Sequence, residues 1–374
     1  MGERKKAVVA GHVCVDITPE IPGMPVASLH EIMAPGKLIT AGNITISTGG
    51  TVANTGAAMK ILGTDVALMG KVGRDDFGDI VCRVLREYGC GDAMIRSQEA
   101  TSYSIILAIP GVDRIIFHNP GANDSFSLED LDMERIREAA LFHFGYPPIM
   151  KSMYEKDGAE LVRMFRCISG MGVLTSLDMA MVQEETEAGC ADWERIIASV
   201  LPFTDFFLPS VEELLMMLER EKYHRILEQS GGRDITGLLS LEEDVKPLAE
   251  RCIAMGAGCV LIKCGAPGLF YKTAGCEFAG MLTERLGHDC SDWAGAEGFE
   301  KSYVPGKIRS GVGAGDTTIA AFLSAMLAGY PLKRCLQLAT GTGASCVETY
   351  DVLSGLKSFA ELERRIDGGW EKNK

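Results

Sequence analysis

Short, largely apolar strand patterns set the strongest limit on the fold: Ala7–Val15, Leu141–Phe144 and Val260–Lys263, with the more mixed Val173–Leu177 between them. A strand with one wet face alternates polar and apolar residues. A run that is apolar throughout is covered on both faces, as in a parallel sheet between two helical layers. Helical patterns separate the runs, at Asp76–Tyr88, Tyr154–Ile168, Trp193–Val200, Val211–Leu218, Leu241–Met255, Thr317–Ala328, Leu332–Val347 and Phe359–Ile366. Strands alternating with helices predict an α/β fold, a doubly wound and mostly parallel sheet with helices on both faces. Shorter strands are expected at Val66–Gly70, Ala93–Arg96 and Phe206–Leu208, and Leu269–Lys272 reads as an antiparallel partner of the Val260 run.

Two stretches break this order. Within residues 17–48, Pro22, Pro25 and Pro35 precede a hairpin pattern, 37–40 and 44–48. Within 99–120, Ser102–Ile109 and Arg114–His118 form a second hairpin turning through residues 110–113. Two hairpins inserted into a βα pattern predict a small β-sheet lid over the mouth of the large sheet. Segments 220–240 and 283–301 lack a clear period and read as surface insertions. At 374 residues the chain is long for one domain, but a single α/β domain over 1–374 carrying these additions accommodates it.

A formal charge of −14 argues against nucleic acid and anionic membrane surfaces as partners. Any phosphate site must therefore be built locally. The twelve cysteines include no C-x-x-C, and Cys252, Cys259 and Cys264 lack the partners of a zinc spacing, so buried thiols in a reducing compartment are expected. The start of the chain has no apolar core of a secretory signal and no 18-residue apolar run occurs, so a cytoplasmic location is expected.

The chemistry concentrates in Ser310-Gly311-Val312-Gly313-Ala314-Gly315-Asp316, which leads into a helix. Three glycines in five residues cost backbone entropy and add no side chain to a core. Placed before a helix they leave unpaired N–H groups and the positive dipole end aimed at one point, an anion site. Asp316 is a carboxylate in that same turn. A group that only bound phosphate would exclude it, whereas one that took a proton from an attacking hydroxyl would need it. The turn is no P-loop, since no Gly-Lys-Ser/Thr follows, and no G-x-G-x-x-G follows the first strand.

Several motifs occur in one order: the strand reaching Asp16, Gly49-Gly50-x-x-x-Asn54, Gly73-Arg74-Asp75-Asp76-x-Gly78, Gly121-Ala122-Asn123, Gly265-x-x-Gly268 and Gly313-Ala314-Gly315-Asp316. In this the chain resembles the ribokinase-like (PfkB) carbohydrate kinases over almost its whole length. The resemblance implies ATP-dependent transfer of the γ-phosphoryl group to a hydroxyl of a sugar or sugar-like polyol, with Mg2+. It implies Asp316 as the base and the N–H groups of Gly313, Ala314 and Gly315 as the anion hole. Asp16, Gly49, Gly50, Asn54 and Asn123 are implied as substrate contacts, with Tyr146 and the lid cation Arg114 as specificity residues; Lys37 is a second lid cation. Lys263, Gly265, Gly268 and Gly343 are implied at the nucleotide, and Glu213 at Mg2+ through water. Asp178 reads as a strand-end acid at the rim of the site. Dimerisation through the lid is a further implication. The chain departs from the family where Ser310-Gly311 replaces an Asp-Thr and in the loop near Tyr350-Asp351-Val352, so activation by a monovalent cation is not expected; it departs again where Ser210 replaces an Asn, with Glu213 kept. Two other readings stay open, a sugar-binding sensor without turnover and a nucleotide-dependent oxidoreductase.

Overall fold

The computed structural model describes residues 5–21, 35–90, 94–107, 115–231 and 234–373. The first half of the chain carries β1 (Lys6–Gly11), β2 (Cys14–Pro19), β3 (Ile44–Gly49), β4 (Asp65–Met69), β5 (Lys71–Gly73), β6 (Ile95–Ser97), β7 (Tyr103–Leu107) and β8 (Ile115–Asn119). After these come β9 (Leu141–Gly145), β10 (Leu174–Asp178), β11 (Phe206–Phe207), β12 (Cys259–Lys263), β13 (Gly268–Thr273) and β14 (Glu297–Lys301). Eight of these form the main sheet in the order β14-β13-β12-β11-β10-β9-β1-β4. From β12 to β4 every pairing is parallel, and β13 and β14 close one edge antiparallel.

The apolar runs follow from two cores. Side chains alternate across a strand. Thus Val9, Leu141, Leu174, Phe206 and Leu261 enter one core, against the helices Ala314–Leu327 and Leu332–Cys346. Val8, Phe142, Leu177, Phe207 and Val260 enter the other, against Lys151–Ser169, Trp193–Val200, Val211–Leu218 and Lys246–Ala254. In helix Ala314–Leu327 every residue from Asp316 onward is buried, as expected of a helix inside the fold rather than on its surface.

The lid is a four-stranded sheet, β3-β2-β7-β8. It corrects the reading of Ala7–Val15 as one strand. β1 stops at Gly11, His12 and Val13 cross over, and β2 begins the lid at Cys14. Burial on both sides of the crossing hides it from the apolar pattern. Asp16 therefore lies on a lid strand, not at the end of the main sheet. The first hairpin also differs: β3 pairs with β2, while residues 37–40 form no strand. β7 and β8 pair antiparallel as expected; the turn at 110–113 and Arg114 lie outside the described residues.

Residues 283–301 are no appendage. Trp293 is buried in the first core, and β14 is the edge strand of the main sheet. Within 220–240, helix Arg220–Ser230 packs Tyr223, Ile226 and Leu227 against the second core. No helix among the described residues is long and apolar enough to cross a membrane.

Candidate active site

Gly313 takes a left-handed conformation (φ 72°) that few residues besides glycine adopt at little cost, and so caps helix Ala314–Leu327 without a side-chain bond. The helix starts at Ala314, so Gly315 and Asp316 belong to its first turn rather than to the loop before it. The Ala314 N–H makes a long contact of 3.4 Å to the Gly311 carbonyl. The N–H groups of Gly313, Gly315 and Asp316 have no partner among the described residues. They are the free donors that a helix start presents to an anion.

Asp316 is 4% exposed and closely held. Asn54 Nδ2 donates to Oδ2 at 2.9 Å, Thr55 Oγ1 donates to Oδ1 at 3.2 Å, and the Tyr146 hydroxyl lies 2.8 Å from both oxygens. Burial raises the carboxyl above its usual range, while the donations from Asn54, Tyr146 and Thr55 and the charge of Lys263 pull the other way. A base held ready but not strongly acidic suits proton abstraction near neutral pH. Asn54, expected at the substrate, turns onto Asp316 instead. Thr55 was missed; its place beside Asn54 was the only signal for it.

Lys263, at the end of β12, lies against the same turn: a Cβ on Gly315 would sit 3.9 Å from its Nζ. That Nζ donates to Asp178 Oδ1 at 2.6 Å and to the Leu208 carbonyl at 2.7 Å. Asp178 is the last residue of β10 and is 2% exposed, so it is a buried partner and not a rim residue. Burial pushes its carboxyl up against the pull of Lys263. Burial also disfavours the ammonium, but Asp178, Glu213 and Asp316 outweigh it and keep Lys263 charged. Glu213 spends Oε2 on the Ser210 N–H, 2.6 Å away, in a capping box that starts helix Val211–Leu218.

Across the lid, the registers align Ser47, Asp16, Ser104 and His118 in one polar row. Cys14 donates its thiol to Asp16 Oδ1 at 3.3 Å, and burial raises the Asp16 carboxyl. Gly49 makes room for that carboxylate, since a Cβ there would lie 2.2 Å from Asp16 Oδ2. Gly50 backs onto the His12 carbonyl, 2.5 Å from where its own Cβ would be. His12, at the crossover, packs its ring 5.2 Å from His118 and 6.1 Å from Tyr146. The polar row of the lid thus connects through His118, His12 and Tyr146 to Asp316. Burial lowers the pKa of the enclosed His12 well below its ordinary value, and partial desolvation lowers that of His118. Neither belongs to a motif, and only the fold brings them together.

Residues 4–358 match the model of the pfkB family carbohydrate kinases. The chain belongs to that family. It is 26% identical over 296 residues, 79% of this chain and 96% of the relative, to an uncharacterized sugar kinase of Archaeoglobus fulgidus. Its fold is that of the ribokinase of Arabidopsis thaliana solved with ribose and ATP, with a TM-score of 0.71 and 20% identity, over 97% of this chain and 98% of that one. A fructokinase of Xylella fastidiosa with bound ATP superposes with a TM-score of 0.70 at 17% identity, over 98% and 99% of the two chains. The chain is a carbohydrate kinase, and the oxidoreductase reading falls away.

Not every motif residue reaches the kinase site. Asn123 is fully buried, with Nδ2 donating to the Val13 carbonyl at 2.9 Å and Oδ1 accepting from the Val13 N–H at 3.3 Å. It fixes the crossover into the lid and is closed to a substrate. Gly268 is enclosed by β14, where a Cβ would meet the Glu300 carbonyl at 2.2 Å. Gly343 lets helix Leu332–Cys346 lie on Thr318, whose Oγ1 would be 2.4 Å from a Cβ. Both serve packing. Gly265 is exposed in the turn after β12, beside Thr236. Among the described residues no three His, Cys, Asp or Glu side chains converge as a metal cage. A Mg2+ ion held by nucleotide phosphates and water needs no such cage.

Proposed function

We propose that the protein transfers the γ-phosphoryl group of ATP to a hydroxyl of a neutral or acidic sugar or a related polyol, with Asp316 as general base. The observation that carries this reading is the coexistence, in one helix turn, of a buried carboxylate and unpartnered N–H groups. Asp316 accepts the proton of the attacking hydroxyl, while the N–H groups of Gly313 and Gly315 and the Lys263 ammonium face the charge that develops on the transferred group. Asp16 accepts hydrogen bonds from sugar hydroxyls on the lid side, and Gly49 gives it room. Glu213 Oε1, left over from the capping box, would hold water around a Mg2+ ion, which would offset the charge of the phosphates. With Ser310-Gly311 before the turn, activity is independent of added potassium. The polar row of the lid closes over the acceptor and excludes water.

The outer face of the lid supports a homodimer. Ile46, Ile17, Ile105 and Phe117 align across its four strands, and Ile46 and Phe117 are half-exposed. An apolar row of this kind is a surface that a second copy would cover.

A screen of ADP release from MgATP over ribose, fructose, keto-deoxy sugar acids, nucleosides, inositols and sugar phosphates tests the reading. One class should stimulate release well above the rate without acceptor. Tight ATP binding with no stimulation by any class would favour the sugar-sensor reading.

A further inference from the structure

The Asp316 carboxylate is largely occupied from within the fold, with the Tyr146 hydroxyl astride both of its oxygens. An ionised carboxylate offers about four lone-pair positions. Asn54 takes one on Oδ2 and Thr55 one on Oδ1, and the Tyr146 hydroxyl lies 2.8 Å from each oxygen. An acceptor hydroxyl must donate to Asp316 before it can lose its proton, and the Tyr146 hydroxyl, whose one proton is shared between the two oxygens, stands across the edge it would approach. That group is itself an alcohol O–H.

We propose that Tyr146 is a built-in mimic of the acceptor hydroxyl, which caps the base until a sugar hydroxyl displaces it. The inference rests on the reading of Asp316 as the base. Two features suit Tyr146 to a displaceable role. It is one of three non-glycine residues with positive φ among the described residues, at 69°, a left-handed conformation rare for a bulky side chain. Pro147 and Pro148 follow directly and β9 ends at Gly145, so the backbone is fixed on both sides and any displacement of the hydroxyl falls to the side chain. Its ring also packs 6.1 Å from His12, which in turn packs 5.2 Å from His118 on the lid. A sugar seated against the lid row therefore arrives on the side from which Tyr146 must be moved.

The cap has a chemical purpose. Water is also an alcohol-like acceptor. With Asp316 open and no sugar present, a water donating to the carboxylate could be deprotonated and attack the γ-phosphorus, so that the bond to the ADP oxygen breaks and ADP and inorganic phosphate leave. The Tyr146 hydroxyl holds that position and is itself kept protonated, since burial and then the charges of Asp316 and Asp178 hold the phenol well above its ordinary value.

The test compares Tyr146→Phe, Tyr146→Gly and the double variant Tyr146→Phe with Asp316→Asn against the wild type, by ADP release from MgATP without sugar and with D-ribose or D-fructose. Tyr146→Gly relieves the left-handed backbone while Tyr146→Phe keeps the packed ring, so the two variants disturb the fold in different ways. Sugar-independent ADP release should rise on the order of tenfold in both single variants, a part of what a freed general base contributes. It should return to the wild-type rate or below in the double variant. Unchanged or lower release in folded Tyr146→Phe and Tyr146→Gly would overturn the proposal and leave Tyr146 as a fixed donor. A rise that persists in the double variant, which lacks the acid, would locate the fault in the base assignment instead.

Discussion

The Lys263 ammonium lies 2.6 Å from Asp178 Oδ1, at side-chain exposures of 14% and 2%. The one ammonium described beside Gly315 is therefore tethered from below by a buried acid on the neighbouring strand but one, and its direction toward the helix start is fixed before any phosphate arrives.

Lys263→Met should leave Asp178 buried without its counter-charge and cost about 3–5 kcal/mol of stability. Adding Asp178→Leu should recover most of that loss, because the apolar pair no longer contains a stranded charge. MgATP turnover should stay low in both. Urea midpoints read the first effect, and ADP release reads the second. Equal stability of the single and double variants would remove the ion pair from the account.

Gly49→Ala tests the sugar side alone. The new methyl would fall 2.2 Å from Asp16 Oδ2 and must displace that carboxylate. The KM for the sugar should rise on the order of tenfold, which is one lost hydrogen bond to a charged group. ATP affinity, measured by titration without sugar, should be unaffected. A parallel loss of ATP affinity would show that the lid face and the Asp316 turn are not separate.

His143 gives a pH signature. It is fully buried on β9 between Thr51 Oγ1 at 3.3 Å and Ser176 Oγ at 2.9 Å, and burial followed by the charge of Lys263 pushes it down to about 3. An unfolded histidine takes up its proton near 6.5. The stability this group contributes is therefore present above pH 6.5 and is lost as pH falls from there toward 3. The slope is about 1.4 kcal/mol per pH unit for one proton. His143→Gln should lower that slope by one proton between pH 6 and 4, read from urea midpoints. An unchanged slope would contradict the buried neutral ring.

Much of this architecture was legible in the sequence, because strands and helices are written locally. Trp193–Val200 and Val211–Leu218 fall where the helical period placed them, and the antiparallel β12–β13 pair was readable from the apolar run and its return. The crossing at His12 was not, since residues on either side of it are equally buried. Asp316 was legible from its turn. Its partners were not: Tyr146 and Asn54 come from 170 and 262 residues away in the chain, and only folding sets the distance between them. Asn123 and Gly343 show the reverse error, motif residues whose side chain, or lack of one, serves the backbone around the site.

The outer row of the lid is tested by Ile46→Lys with Phe117→Lys. Both side chains are half-exposed and neither belongs to a main core, so folding should be retained. Light scattering should show a dimer in the wild type and a monomer in the variant. A wild-type monomer at micromolar concentration would contradict the lid interface.

The central claim is that the carboxylate in the first helix turn is the base. Asp316→Asn keeps the size of the side chain and removes its ability to accept the proton. Single-turnover transfer from MgATP to the acceptor found by the ADP-release screen should fall on the order of 1,000-fold, within the range general bases contribute, while ATP still binds. Transfer within a few-fold of the wild type would contradict the account.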